Sequence, residues 1–450
     1  MCNQKTMSKY HFIAVGGTVM SQLAVSLKKQ GHEITGSDDA IYGASLQTLS
    51  ENGLLPAYEG WNPDVINSDI DTVILGMHAK KNNPELIKAQ QLHLPIVSYP
   101  EFLFEKSTNK TRVVIAGSHG KTTITSMVLH ALQYHGIETD YLVGGRVPGV
   151  ENSFNLTSHN DFILIEGDEY ASSALDAQPK IAHYHPNIAL MSGIAWDHIN
   201  VYPNQESYVE VFKNFIKSIT PGGVLVYNEE DTVLKQLVDE AENYFRKFPY
   251  SLPEHSVNNG TTYLHTEMGE LPLKIFGEHN LRNLEGAKYI CHQLGILEED
   301  FYEAMMNFEG AELRLQKISE NPIIYRDYAH APTKVKAASD AIQKQFPHSE
   351  TVGILELHTY SSLNSEFIPQ YRDSLNTFAS AVVYYDAKVV EAKGMKILSD
   401  DDLKIAFNNP QLLILHNVSE LQNFWNNLDK TNKIVLIMSS GQFGGFNFLK

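Results

Sequence analysis

Residues 113–127 read V-V-I-A-G-S-H-G-K-T-T-I-T-S-M: an apolar β-type run, a glycine turn, a lysine with two threonines, then a helix-forming stretch. A strand that feeds a helix through such a turn aims its backbone N–H groups at one spot beside the positive end of the helix dipole. That spot is a seat for phosphate. Gly117, Ser118, His119 and Gly120 would form the turn and Thr123 would complete it. Lys121 would neutralise the outer phosphates of a nucleoside triphosphate, and the Thr122 hydroxyl would ligate Mg²⁺. The common phosphate loop reads G-x-x-x-x-G-K-[ST]. Here Gly117 precedes Gly120 by only three positions, so the turn is two residues shorter.

A chain of 450 residues has room for about three domains. With 53 acidic against 35 basic side chains the formal charge is −18, which gives no general electrostatic attraction to nucleic acid or an anionic membrane. Phosphate binding must therefore be local. Cys2 and Cys291 are too far apart in sequence to suggest a disulfide framework or a metal-ligand pair, in keeping with a reducing compartment. There is no apolar signal core at the start and no apolar run approaching about 18 residues, so a cytoplasmic location without membrane contact is expected.

Residues 11–15 read as a strand, 18–30 as a helix closed by Gly31, and 33–36 as a second strand leading into Ser37 and Asp38. With strands at 72–76 and 94–97 around a helix at 84–91, this predicts a small Rossmann-like domain over 1–108, leaving through a polar linker at 106–110. Strands at 112–116, 162–166 and 188–191, with a helix from Glu278, predict a central P-loop-type ATPase domain over 109–313. Strands at 323–325, 351–355, 381–385, 412–415 and 434–438 predict a Rossmann-like domain over 314–450. Strands alternating with helix-length segments imply parallel sheets, so the expected class is three consecutive α/β domains.

Four further clusters carry chemistry. In I-E-G-D-E-Y, Glu166, Asp168 and Glu169 end an apolar strand, where carboxylates face the ligand crevice of a parallel sheet and suit Mg²⁺; a solvated acidic loop is the plain alternative. In W-D-H, His198 could ligate a second metal or orient a substrate group, with Asp197 setting its tautomer, or the pair could be a loop hydrogen bond. In G-E-H-N-L-R-N, Asn280 and Asn283 open a helix where amide side chains can read a purine edge. In R-D-Y-A-H-A-P-T, Asp327 ends a strand and could meet ribose or phosphate; helix N-terminal chemistry is the other reading. The opening strand-helix-strand offers Gly16, Gly17 and Asp38 but an incomplete dinucleotide fingerprint, with Ala14 and Gln22 where glycine is wanted. An NAD-dependent oxidoreductase is thus a remote alternative, and a uridine nucleotide fits equally, with Thr18 opening a helix toward a diphosphate.

In this order and at these separations, G-S-H-G-K-T-T, E-G-D-E-Y, D-H, G-E-H-N-L-R-N and D-Y-A-H-A-P resemble the Mur ligase family along essentially the whole chain. The resemblance implies an ATP- and Mg²⁺-dependent amide-forming enzyme. The lactyl carboxylate of UDP-N-acetylmuramate is activated as an acyl phosphate, and the amine of an amino acid or short peptide then displaces phosphate. It implies catalytic roles for Lys121, Glu166, His198, Arg314 and His330, with Thr122, Glu166 and His198 as metal ligands. ATP contacts would come from the glycine turn, Asn280, Asn283, Arg314 and Asp327, although a linker arginine is the plain reading of Arg314. Domain closure around the reactive intermediate would make hinges near Lys110 and Leu313.

The opening G-G-T-V-M-S and T-G-S-D look like the members that act directly on UDP-N-acetylmuramate, which implies contacts from Gly16, Gly17, Thr18, Ser37 and Asp38. Some of these add L-alanine; others add the recycled tripeptide L-alanyl-γ-D-glutamyl-meso-diaminopimelate. G-S-D-D-A-I-Y-G-A-S, E-G-D-E-Y and M-S-S-G-Q-F-G-G look more like the tripeptide-adding members, and that reading is preferred. The alanine adders commonly read A-H-H-P where this chain has Ala331. His358 stands where relatives tend to carry arginine. Lys213 lies where several relatives carry a carbamylated lysine, but it reads as an exposed helical lysine.

Overall fold

The computed structural model of the protein describes residues 7–449 apart from 146, 148, 151, 197–200 and 396. The chain forms two compact units, one from Met1–Gly117, Leu132–Ile194 and Val209–Pro249, the other from Ser118–Ala131, Ala195–Tyr208 and Tyr250–Lys450.

The first unit holds two sheets. One has four parallel strands in the spatial order Glu33–Ser37, Lys9–Ile13, Thr72–Leu75, Ile96–Ser98. Ile13, Val73 and Leu75 point to one face and pack with Ile66, Leu86 and Ala89. The helix Thr18–Lys29 buries Met20, Leu23, Ala24 and Leu27, the spacing of a single helical stripe. The second sheet runs Phe245–Tyr250, Gly223–Asn228, Ile188–Met191, Thr111–Ala116, Phe162–Glu166, Asp140–Leu142, Phe154–Asn155. Its five middle strands are mutually parallel, and Phe154–Asn155 is an antiparallel edge. Val113, Val114, Ile115 and Ala116 are all fully buried, as expected of a central parallel strand covered on both faces.

Between these sheets, where a hinge is expected, Lys110 is held in an ion pair. The Lys110 ammonium is buried against Asp140, with Nζ 3.0 Å from Oδ2, and also donates to the Asn160 carbonyl. Asp140 Oδ1 accepts from Thr157 N at 2.9 Å and Asn160 Nδ2 at 3.0 Å. Two residues on, the Arg112 guanidinium donates to the carbonyls of Ser107, Tyr184 and His185 at 2.8–3.1 Å.

The second unit contains a six-stranded sheet, Gln316–Glu320, Ile323–Asp327, Lys433–Met438, Glu350–Glu356, Ser380–Tyr384, Leu413–Leu415, parallel except for its first strand. Along Lys433–Met438, Ile434, Leu436 and Met438 enter one core while Val435 and Ile437 enter the other, so both faces of the sheet are covered. The sequence reading passed over an antiparallel meander, His255–Asn258, Thr261–Thr266 and Gly269–Leu273. Its first turn is Asn259–Gly260, both with positive φ (51° and 75°), the two-residue hairpin that an Asn-Gly pair favours.

Candidate active site

Thr111–Ala116 lies between Ile188–Met191 and Phe162–Glu166, where the chain changes the side on which it adds strands. Crevices at the carboxyl ends of such strands are the binding positions of α/β sheets. Three neighbouring strand ends there carry Ser192, Gly117 and Glu166. Gly117 has φ +124°, and a Cβ on it would sit 2.4 Å from Ser192 Oγ and 2.8 Å from the Gly193 carbonyl. Only glycine fits. The strand end behind it is braced by Ser192 N donating to the Ala116 carbonyl at 3.1 Å and Ile194 N donating to Asp231 Oδ2 at 2.7 Å.

Glu166, half-buried, accepts the Gly144 N–H at 2.8 Å. The two other acids of its cluster are diverted. Asp168 pairs with Lys180 and accepts the Tyr170 N–H at 3.1 Å, while Glu169 is buried. Of the three carboxylates expected to serve a cation, Glu166 ends the strand beside Gly117, while Asp168 also ties down the loop that follows. Its charge and the burial around Tyr99 and Tyr184 push both phenols well above the ordinary tyrosine range, burial being the larger cause.

Beyond Gly117 the chain continues in the second unit as the rest of the turn and the helix Lys121–Tyr134. Gly120 has φ +77°, and a Cβ there would lie 2.3 Å from Asn283 Oδ1. Ser118 Oγ accepts from the Tyr208 hydroxyl at 3.3 Å, and His119 Nε2 is 2.7 Å from Thr333 Oγ1. Lys121 and Thr122 are half-buried at the first helical turn and Thr123 is buried. The helix below is sealed, with Ile124, Met127, Val128 and Leu132 fully buried.

Gly120→Ala therefore meets both a left-handed backbone and an occupied volume. It is expected to raise the KM for ATP about tenfold or more. Steady-state kinetics at varied ATP checks this, and an unchanged KM would show that the turn does not seat the nucleotide.

The two asparagines predicted to read a purine edge have different surroundings. Asn280 is buried and donates Nδ2 to the Phe276 carbonyl at 3.0 Å, which holds the start of the helix Glu278–Gln293. Asn283 abuts the glycine turn. His279, beside Asn280, is held below the usual imidazole range by burial, against a smaller opposing pull from Asp327.

Asp327, expected to meet ribose or phosphate, also braces its own turn. Its Oδ2 accepts Leu315 N at 2.7 Å and its Oδ1 accepts Ala329 N at 2.6 Å. The turn it braces carries two of the predicted residues. Arg314 sits between Leu313 and Leu315, both left-handed (φ 59° and 45°), with its guanidinium 4.7 Å from the Tyr328 ring centre. His330 Nδ1 is 2.8 Å from the Tyr328 carbonyl and must donate to it, which leaves the lone pair of the neutral ring on Nε2. Asp197 and His198 lie outside the described residues.

In the four-stranded sheet, Asp38 is buried where the strand Glu33–Ser37 ends and accepts Gly16 N at 2.6 Å and Asp39 N at 2.9 Å. Burial raises its pKa, partly offset by the Gly16 N–H. It thus holds the Gly16–Gly17 turn. Ala14 takes the left-handed conformation (φ 68°) expected of a glycine, and the buried Ser37 accepts Ala14 N and Val15 N on its carbonyl at 2.9 and 3.1 Å. Thr18 opens the next helix, and no side chain caps its N-terminus.

A cavity of about 430 Å³, absent from the sequence reading, lies at the carboxyl ends of the six-stranded sheet, lined by Glu356, His358, Asp386, Val389, Val390 and the segment from Ser440 to Gly445. Glu356 is buried there, accepting from the Ser439 hydroxyl and from Phe443 N at 3.1 Å. Ser440 Oγ is sealed from solvent and meets no hydrogen-bond partner among the described residues. Lys393 Nζ donates to the His358 carbonyl at 2.6 Å beside this wall. The signal was present in M-S-S-G-Q-F-G-G, but Glu356 precedes Ser439 by 83 residues.

Residues 115–291 match the Mur ligase middle domain, and residues 9–110 match the model described as Mur ligase family, catalytic domain. A UDP-N-acetylmuramate–L-alanine ligase of Caldicellulosiruptor bescii is 30% identical over 417 residues, covering 88% of each chain. The UDP-N-acetylmuramate:L-alanyl-γ-D-glutamyl-meso-diaminopimelate ligase from Neisseria meningitides superposes with a TM-score of 0.60 at 25% identity, over 67% of this chain and 98% of that one. The UDP-N-acetylmuramate-alanine ligase of Thermotoga maritima shares the fold with a TM-score of 0.70 at 20% identity, over 98% and 96%. These matches define the class: an ATP-dependent ligase that forms a C–N bond. The chain belongs to the Mur ligase family.

Proposed function

We propose that this ligase joins the lactyl carboxylate of UDP-N-acetylmuramate to the amine of L-alanyl-γ-D-glutamyl-meso-diaminopimelate, through an acyl phosphate. The observation that carries the choice of acceptor is the cavity at the end of the six-stranded sheet. At about 430 Å³ it is sized for a multi-residue ligand and far exceeds the needs of a single methyl side chain. Glu356 and Asp386 in its lining suit an ammonium group, and His358, which stands where relatives tend to carry arginine, also lines it. A second reading, L-alanine as acceptor, is favoured by the name of the Caldicellulosiruptor relative.

The side-chain-free glycine turn at a helix start fits a triphosphate, and the Thr122 hydroxyl and Glu166 carboxylate are hard oxygen donors of the kind Mg²⁺ takes. ATP and its metal, when bound, supply activation of the carboxylate and neutralisation of charge. Lys121 offsets the negative charge that builds on the outer phosphates. Asp327 fixes the turn that presents Arg314 and His330, which complete the ATP and substrate contacts. Asp38, Gly16 and the open helix start at Thr18 hold the nucleotide sugar. Among the described residues no helix is long and apolar enough to cross a membrane.

Phosphate release in the presence of ATP, Mg²⁺ and UDP-N-acetylmuramate, with either the tripeptide or L-alanine added, tests the assignment. Turnover is expected with the tripeptide; turnover with L-alanine alone overturns it in favour of the second reading.

A further inference from the structure

The loop after Asp168 runs from Ala171 to Tyr184 and is rigid by its own hydrogen bonds. Ser172 N and Oγ both donate to the Gln178 carbonyl, at 2.9 and 2.8 Å, and Asp176 N donates to Ser173 Oγ at 3.1 Å. The loop ends in the short helical turn Lys180–His183, which packs on the helix Tyr99–Lys106, with Lys180 Nζ 5.6 Å from the centre of the Tyr99 ring. At this contact one ligand atom each from Glu101, Asp176 and His183 lie within 4.8 Å of one another.

Two carboxylates this close repel unless a cation lies between them. The imidazole shares the position, and its Nε2 lies 2.7 Å from Asp176 Oδ2. That nitrogen is sealed from solvent, yet it meets no acceptor in hydrogen-bonding geometry. The imidazole edge thus faces the position that the two carboxylates share. Each carboxylate is also oriented from behind: Glu101 Oε2 accepts Ser98 N and Oγ, both at 2.7 Å, and Asp176 Oδ1 accepts Gln178 N at 2.9 Å. Backing of this kind fixes metal ligands in place.

We propose that Glu101, Asp176 and His183 form a site for a borderline divalent cation of the Zn²⁺ type, separate from the Mg²⁺ that accompanies ATP. One imidazole and two carboxylates, with water completing the shell, suit Zn²⁺ or Co²⁺, whereas Mg²⁺ and Ca²⁺ prefer an all-oxygen set. The cation staples the loop that follows the Glu166 and Asp168 cluster to the helix Tyr99–Lys106. None of the three residues has a part in the proposed ligase chemistry, so the staple stands or falls independently of the acceptor.

The experiment uses full-length protein stripped with chelator and free of nucleotide, dialysed against Zn²⁺ and assayed for bound metal, with Co²⁺ absorption and the melting temperature as further readouts. Wild type should bind one equivalent more Zn²⁺ than either His183→Ala or Asp176→Asn, and should gain several degrees of melting temperature that both variants lack. Zn²⁺ affinity at this site should fall about 100-fold or more in each variant. Asp176→Asn keeps an oxygen for Gln178 N and so guards against a folding defect. Equal stoichiometry and equal melting shifts in wild type and both variants would overturn the proposal, as would absence of Zn²⁺ binding by wild type.

Discussion

Lys121→Ala is expected to lower kcat by roughly 10²–10³-fold or more, the scale on which removing one preorganised charge-stabilising donor acts, while leaving the fold intact. Lys121 is the first residue of the helix Lys121–Tyr134 and is half-buried, whereas the residues that anchor the helix, from Ile124 to Leu132, lie below it in the core. Truncation thus removes a cation from the glycine turn without opening a cavity. Catalysis of phosphoryl transfer is largely positioning and charge neutralisation, so the loss should appear in turnover rather than in stability. Phosphate release alongside a thermal melt separates the two, and near-normal turnover would refute the assignment of this turn to the triphosphate.

Asp140→Ala should cost the first unit about 3–5 kcal/mol, the penalty for removing one partner of a buried ion pair. Lys110 and Asp140 are 2% and 0% exposed, and the carboxylate also satisfies Thr157 N and Asn160 Nδ2. Removing it leaves a buried ammonium short of its counter-charge and two donors without their acceptor. For a unit of this size the shift in melting temperature is about 10 °C. Replacing both partners, as Lys110→Met with Asp140→Leu, should restore much of the loss, because the penalty lies in the unpaired charge rather than in the absence of the pair. Calorimetry on the three proteins decides; a single variant that melts with wild type would mean that the linker is not held by this pair.

The two variants differ in how visible their residues are in the sequence. Lys121 sits in a contiguous strand, turn and helix whose spacing states its chemistry, and the central parallel strands announced themselves as short apolar runs. The Asn-Gly hairpin of the meander was equally visible and was passed over. Lys110 and Asp140, by contrast, are 30 residues apart; Lys110 reads as linker, and nothing near Asp140 marks it as its partner. Asp327 looked like a ligand residue because strand ends often are, and only the folded turn reveals that Leu315 N and Ala329 N occupy its two oxygens. Asp168 likewise looked interchangeable with Glu166 until Lys180 was found against it.

By itself, then, the sequence determined the class of fold, the family and the position of the glycine turn between strand and helix, because each depends on residues a few positions apart whose geometry follows from local backbone rules. The tertiary structure alone decided which carboxylates pair with a cation or brace backbone, that Lys110 meets Asp140, and that a cavity opens where Glu356 meets the segment around Ser440. Those outcomes depend on contacts between residues tens of positions apart. Burial and pairing, rather than residue type, set what a charged side chain does there.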